Sequence, residues 1–125
     1  MNVFVGTDIV EVDRVKKAIE SNPEFVKRVF TDKEISYCEG TNNMKYQHYA
    51  VRFAGKEAAF KAVSHMLKDN YEISWKNLEI TNAENGRPIA TFINNENPQL
   101  QNIAIDISLS HVKDYAVAYV SVSKE

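Results

Sequence analysis

At 125 residues the chain is long enough for one domain with a sizeable core and short for two. A hydrophobic fraction of 44% and a charged fraction of 26% exclude a disordered or low-complexity chain, and a net charge of -2 argues against a general nucleic-acid binder, which needs a basic excess. The single cysteine, Cys38, excludes an intramolecular disulfide and any multi-cysteine metal site.

In chain order, Val3, Phe4, Val5, Ile9 and Val10 form an apolar, β-branched run that predicts a first strand over residues 2–10, buried on both faces. Asp8 lies inside it. A carboxylate at a buried strand end is either hydrogen-bonded in a turn, paired, or bound to a metal. Asp13 is placed to cap a helix starting near Arg14. From there to residue 28, Arg14, Lys16, Lys17, Lys27 and Arg28 face only Glu20 and Glu24, which suits an acidic partner or simply a solvated helix face.

Pro23 opens a short helix to about Val29, and Thr31-Asp32-Lys33-Glu34 has the capping-box pattern for another running to Gly40. Thr41-Asn42-Asn43 breaks it. A long helix follows from about Lys45 to Lys68, interrupted by no proline, and Ala54, Gly55, Ala58, Ala59 and Ala62 leave room for a neighbour to approach closely. On this helix Glu57 and Lys61 are four apart beside Phe53 and Phe60, a face fit for chemistry or for a surface ion pair. Lys56 points away from Glu57 and suits an internal ion pair.

The helical character stops at Asp69-Asn70. Trp75–Thr81 predicts a strand, Asn85-Gly86-Arg87-Pro88 a turn whose glycine permits positive φ, and Ile89–Ile93 its antiparallel partner. Asn94–Asn102 reads as polar loop with room for a short helix. Ile103, Ile105, Ile107 and Leu109 alternate with Ala104, Asp106, Ser108 and Ser110, and Tyr115–Val122 supplies the last strand after a His111–Asp114 connection. This order predicts an α+β fold with an antiparallel sheet packed on the long helix. No apolar run approaches the ~18 residues of a membrane span, and the start lacks a basic leader, so a cytoplasmic protein without membrane contact is expected.

Asp8, Glu57 and the Ser110-His111 turn are the signals that could converge. Two hard carboxylates suit Mg²⁺, which keeps several waters and completes its shell with substrate phosphate. Such an open site points to phosphate chemistry, with Arg52, Lys56, Lys61 and Arg87 as the cations on offer. There is no Gly-rich phosphate loop, nucleophile elbow or zinc motif. His48 and His65 read as packing or surface residues, and His111 as a turn residue or a phosphate-binding imidazole.

Gly6-Thr7-Asp8-Ile9-Val10-Glu11, Arg52-Phe53-Ala54-Gly55-Lys56-Glu57-Ala58, Asn85-Gly86-Arg87-Pro88 and Ser108-Leu109-Ser110-His111 stand in one order along the whole chain. Together they resemble the motifs of the 4′-phosphopantetheinyl transferases, and among these the short bacterial holo-[acyl-carrier-protein] synthases. Gly55 is the departure, since the family more often has alanine there.

The resemblance implies a single domain over residues 1–125. It also implies Mg²⁺-dependent transfer of 4′-phosphopantetheine from coenzyme A to a serine of apo acyl carrier protein, releasing adenosine 3′,5′-bisphosphate in support of fatty acid biosynthesis. Asp8 and Glu57 would hold the metal, Glu57 would help deprotonate the serine, and Lys61 would clamp the pyrophosphate. Arg52, Gly86, Arg87, Pro88 and His111 would hold the coenzyme, and Arg14 would meet the carrier. It further implies a homotrimer with active sites between subunits. Two other readings of the same residues are a magnesium-dependent phosphoanhydride hydrolase and a non-catalytic binding module.

Overall fold

The structure is a computed structural model that describes residues 1–68 and 73–124. Strand β1 (Asn2–Glu11) leads into helices α1 (Val12–Ser21), α2 (Pro23–Val29) and α3 (Asp32–Glu39), then the long helix α4 (Lys45–Val63). Four strands follow: β2 (Leu78–Asn82), β3 (Pro88–Phe92), β4 (Ile103–His111) and β5 (Tyr115–Lys124). The predicted α+β order holds, but the strands divide into two antiparallel sheets, β1-β5-β4 and β2-β3. The first strand pairs with the last, Gly6 opposite Val120 and Asp8 opposite Ala118.

Local chemistry explains the helix boundaries. Asn22 accepts a hydrogen bond from the Glu24 amide and Pro23 takes the first position of α2, where its missing N–H costs nothing. Thr31 and Glu34 form the expected capping box of α3. Asp13 does not cap α1: it falls in the first turn and pairs with Lys17 at 2.8 Å, four residues on, while Glu11 holds the cap position. The long helix ends at Val63 rather than Lys68, and the predicted break at Asp69-Asn70 lies outside the described residues. Trp75–Asn77 is a 3₁₀ turn, so the strand begins at Leu78. His111 is the last residue of β4 rather than part of its connection.

Helix α4 packs chiefly on β1 and β5, with α1 and α3 on its other sides, and is buried almost all round. Its small residues have the expected use. A Cβ added at Gly6 would stand 1.9 Å from the Ala58 carbonyl oxygen and 2.9 Å from the Ala62 amide nitrogen, so β1 crosses α4 backbone against backbone. At Gly55 the added atom would meet side-chain ends instead, Ile80 Cδ1 at 2.7 Å and Ile107 Cδ1 at 3.2 Å. Glycine there fits the isoleucine methyls of two strands.

Lys56 makes the internal ion pair that its wheel position suggests. Its ammonium lies 2.8 Å from Glu34, both side chains fully buried, and donates to the Trp75 and Leu78 carbonyls at 2.9 and 2.6 Å. Glu34 in turn accepts from the Thr31 and Ile80 amides, each at 2.8 Å. One carboxylate thereby caps α3 and ties it to α4 and β2. Every oxygen and proton has a partner, the condition under which a buried pair is tolerated. Burial still pushes the Lys56 ammonium below its ordinary pKa, against the pull of Glu34.

The first strand is not buried on both faces. Val3, Val5 and Ile9 are 57%, 52% and 66% exposed. They lie on the side of the three-stranded sheet away from α4, where Val117 and Tyr119 of β5 are exposed beside them. A strand packed on a helix through one face leaves the alternate residues outside.

Candidate active site

The crossing at Gly6 sets the position of Asp8. Two residues further along the same face of β1, Asp8 emerges at the flank of α4 from which Glu57 and Lys61 project. Its side chain is 17% exposed and accepts from Lys61 Nζ at 3.2 Å, while the same ammonium donates to the Thr7 carbonyl at 3.0 Å. Lys61 is thus tied to the strand, not to Glu57 as the four-residue spacing suggested.

Asp8 and Glu57 open onto one hollow of about 440 Å³ between β1, α1, α2 and α4. Its walls are Val10, Val15, Ala18, Phe25 and Phe53, and Arg14 stands at its edge. Apolar walls make a carboxylate expensive to ionise. Burial raises the Glu57 pKa, the Asp8 charge raises it further, and Lys61 only partly opposes them. Two carboxylates that repel each other in a partly dry hollow are a site short of positive charge. No group of three or more His, Cys, Asp or Glu occurs among the described residues, so protein atoms alone cannot close a metal cage. Two hard oxygen ligands fit a Mg²⁺ that keeps water or substrate oxygens on its remaining positions.

The residues expected to hold a coenzyme gather elsewhere. Arg52, Gly86, Pro88 and His111 line a second hollow with Tyr37, His48, Asn82 and Leu109. Arg52, 2% exposed, donates to the Asn82 side chain at 2.5 Å and stacks on Tyr37 with its guanidinium carbon 4.2 Å from the ring centre. Asn82 donates to the Gly86 carbonyl at 3.0 Å, and Gly86 takes the expected positive φ of 86°. Arg87 turns away and pairs with Asp106 on the outer face of β4 at 3.6 Å. Five residues separate Arg52 from Glu57, roughly 140° around a helix. The two hollows therefore lie on different flanks of α4, and no residue lines both.

Arg14 is exposed on α1, and no ion pair holds it among the described residues, whereas Lys17 is held by Asp13 and Lys16 lies over the Tyr46 ring. Cys38 is fully buried and burial pushes its thiol up to about 12, so it presents no thiolate. Tyr37, His48 and Asn82 are lining residues that the sequence alone does not single out. His48 precedes Arg52 by one helical turn, and that spacing was the available signal.

Comparison with known proteins gives a consistent result. Residues 4–120 match the family described as the 4′-phosphopantetheinyl transferase superfamily. A holo-[acyl-carrier-protein] synthase of Ruminiclostridium cellulolyticum is 42% identical, over 98% of this chain and 93% of its own. A holo-(acyl-carrier-protein) synthase from Bacillus anthracis, solved in complex with CoA (3′,5′-ADP), superposes with a TM-score of 0.78 at 30% identity, covering 95% of this chain and 94% of that one. An ACPS–CoA complex from Chronobacterium ammoniagenes has the same fold at a TM-score of 0.86 and 21% identity, over 100% and 99% of the two chains.

Proposed function

The chain belongs to the 4′-phosphopantetheinyl transferase superfamily, and from that premise we propose that it transfers 4′-phosphopantetheine from coenzyme A to a serine of apo acyl carrier protein. The supporting observation is the meeting of Asp8 and Glu57 on one apolar-walled hollow with Lys61 alongside. The reaction releases adenosine 3′,5′-bisphosphate, supports fatty acid biosynthesis, and belongs to a cytoplasmic enzyme of one domain. No helix among the described residues is long and apolar enough to cross a membrane.

Asp8 and Glu57 would hold Mg²⁺, which would supply neutralising charge for the coenzyme pyrophosphate. Glu57 accepts the proton of the attacking serine hydroxyl. Lys61 steadies the leaving phosphate oxygens, and its present attachment to Asp8 keeps it beside the site. Val10, Val15, Phe25 and Phe53 exclude water from the reacting groups. Arg52, Gly86, Pro88 and His111 bind the adenine end of the coenzyme, while Arg87 of the same turn faces Asp106 instead. Arg14 meets the acidic carrier.

The separation of the two hollows favours a homotrimer in which the coenzyme turns of one subunit complete the acidic site of the next. The bare apolar face of Val3, Val5, Ile9, Val117 and Tyr119 supplies a surface for that assembly. The test is to incubate the protein with coenzyme A, Mg²⁺ and apo carrier and to weigh the carrier. A gain of one phosphopantetheine that vanishes in Glu57→Gln supports the reading. Phosphate release from a nucleotide without carrier favours the hydrolase, and an unmodified carrier favours the binding module.

A further inference from the structure

The hollow on the Arg52 flank holds a residue that the coenzyme reading leaves unused. His48, half-buried one turn before Arg52 on α4, lies with its ring centre 5.5 Å from that of His111 at the end of β4 and 5.4 Å from that of Tyr37 on α3. Its Nδ1 is buried without a hydrogen-bond partner, and so is Nε of Arg52. A buried nitrogen left unpaired is unfavourable, and two of them on residues that line one hollow mark a flank whose polar groups the chain does not satisfy by itself.

The surrounding charge identifies the acceptor. The titratable groups facing His48 are Tyr37 from α3, Arg52 from α4 and His111 from β4; the turn between β2 and β3 adds only Asn82, Gly86 and Pro88. No carboxylate lines the hollow. Burial lowers the His48 pKa, and the Arg52 charge and His111 lower it further, so the free site holds a neutral imidazole. An incoming dianion reverses that balance by favouring the imidazolium. A phosphomonoester is such a dianion near neutral pH, its second pKa being about 6, and it brings three terminal oxygens to the donors. A phosphodiester brings a single charge.

We infer that His48 is a further coenzyme-recognition residue, its imidazole facing a phosphomonoester that shares the hollow with Arg52 and His111. This rests on the coenzyme reading above, in which the only monoester is the 3′-phosphate. His48 then sets how strongly the enzyme distinguishes a 3′-phosphorylated nucleotide from one without it.

Calorimetric titration of the full chain with adenosine 3′,5′-bisphosphate and with adenosine 5′-phosphate tests this, using the wild type, His48→Phe and His48→Gln. Phenylalanine keeps the ring contacts with Tyr37 and His111 without a donor; glutamine keeps an N–H. The bisphosphate is expected to lose about tenfold in affinity in His48→Phe while the monophosphate changes less than about twofold, and His48→Gln to recover part of the difference. Equal losses for both nucleotides would make His48 a packing residue and overturn the inference. Unchanged discrimination in both variants, with tight bisphosphate binding, overturns it while leaving the coenzyme reading intact. Failure of the wild type to bind either nucleotide overturns both.

Discussion

The two flanks of α4 carry opposite chemistry. On one, Asp8 and Glu57 set two carboxylates against a single ammonium; on the other, Arg52, His48 and His111 face a hollow without an acidic side chain. Each flank alone is an incomplete site for a polyphosphate. The acidic flank repels it until a cation is present, whereas the basic flank attracts it but offers no group to accept a proton. A helix buried nearly all round separates them, so the repelling and attracting charges keep distinct environments. Helix α4 therefore acts as a partition within one chain, keeping the carboxylate pair and the cationic hollow apart.

Glu57→Gln is expected to have the largest effect on the acidic flank. Transfer to the carrier is expected to fall by about 10³-fold or more, as when a principal electrostatic group is removed from a site. The metal-free protein should become more stable at neutral pH, which a thermal melt reads. The sign follows from the raised pKa. The folded state holds the Glu57 proton more tightly than the unfolded one, so the stability this group contributes is complete at low pH and lost as pH rises through the folded pKa. Glutamine removes that loss. The gap between the two melting temperatures should therefore close as pH falls below the folded pKa, and a gap that widens would contradict the account.

A backbone test comes next. Gly6→Ala places a Cβ against the Ala58 carbonyl, which cannot rotate away, and is expected to cost about 1–3 kcal/mol by chemical denaturation and to reduce transfer by moving Asp8. Gly55→Ala is the control. Its new atom meets the movable ends of Ile80 and Ile107, and the gain in helix propensity of about 1 kcal/mol offsets the crowding, leaving stability within about 1 kcal/mol of the wild type. Similar losses in the two variants would remove the argument that the crossing at Gly6 positions the acidic flank.

Much of this arrangement was legible in the sequence because its signals are local. The Thr31–Glu34 box, Pro23 at the start of a helix, the alternation from Ile103 to Leu109 and the small residues of α4 each dictate geometry within a few positions. What was not legible depends on what lies opposite. β1 reads as doubly buried because Val3, Val5 and Ile9 are as apolar as Phe4 and Val10, and composition cannot say that α4 covers one face only. Lys61 reads as the partner of Glu57 because helical spacing is known and the crossing strand is not. Glu34 reads as a cap because its buried partners, Lys56 and the Ile80 amide, are 22 and 46 residues away. The site residues divide similarly: Asp8 and Glu57 line one hollow while His111, expected to converge with them, lines the other, and Tyr37, His48 and Asn82 join it only where α3, α4 and the β2–β3 turn come together.

On the basic flank the expected effect is smaller and differs in kind. Arg52→Gln removes a guanidinium that stacks on Tyr37 and bonds Asn82. It should raise the KM for coenzyme A by about tenfold, the size of one charge-assisted hydrogen bond, with a smaller change in kcat. Steady-state kinetics with coenzyme varied at saturating carrier measures this. A loss confined to kcat would place Arg52 with the reacting groups and dissolve the distinction between the flanks.

Arg14→Glu is the mildest probe and tests whether the carrier approaches by way of the acidic flank. Arg14 stands exposed at the edge of the Asp8–Glu57 hollow, and its charge has no ion pair to satisfy it among the described residues. An acidic carrier is drawn to such a position chiefly during encounter, so reversal should raise the carrier KM several-fold while leaving the coenzyme KM within about twofold. The Debye length shortens to about 10 Å at 0.1 M salt, and the difference between wild type and variant should shrink as salt is added. A carrier KM unchanged at low salt would move the docking surface away from α1. A parallel rise in the coenzyme KM would mean that Arg14 serves the phosphates, and the acidic flank would then contain its own attracting charge.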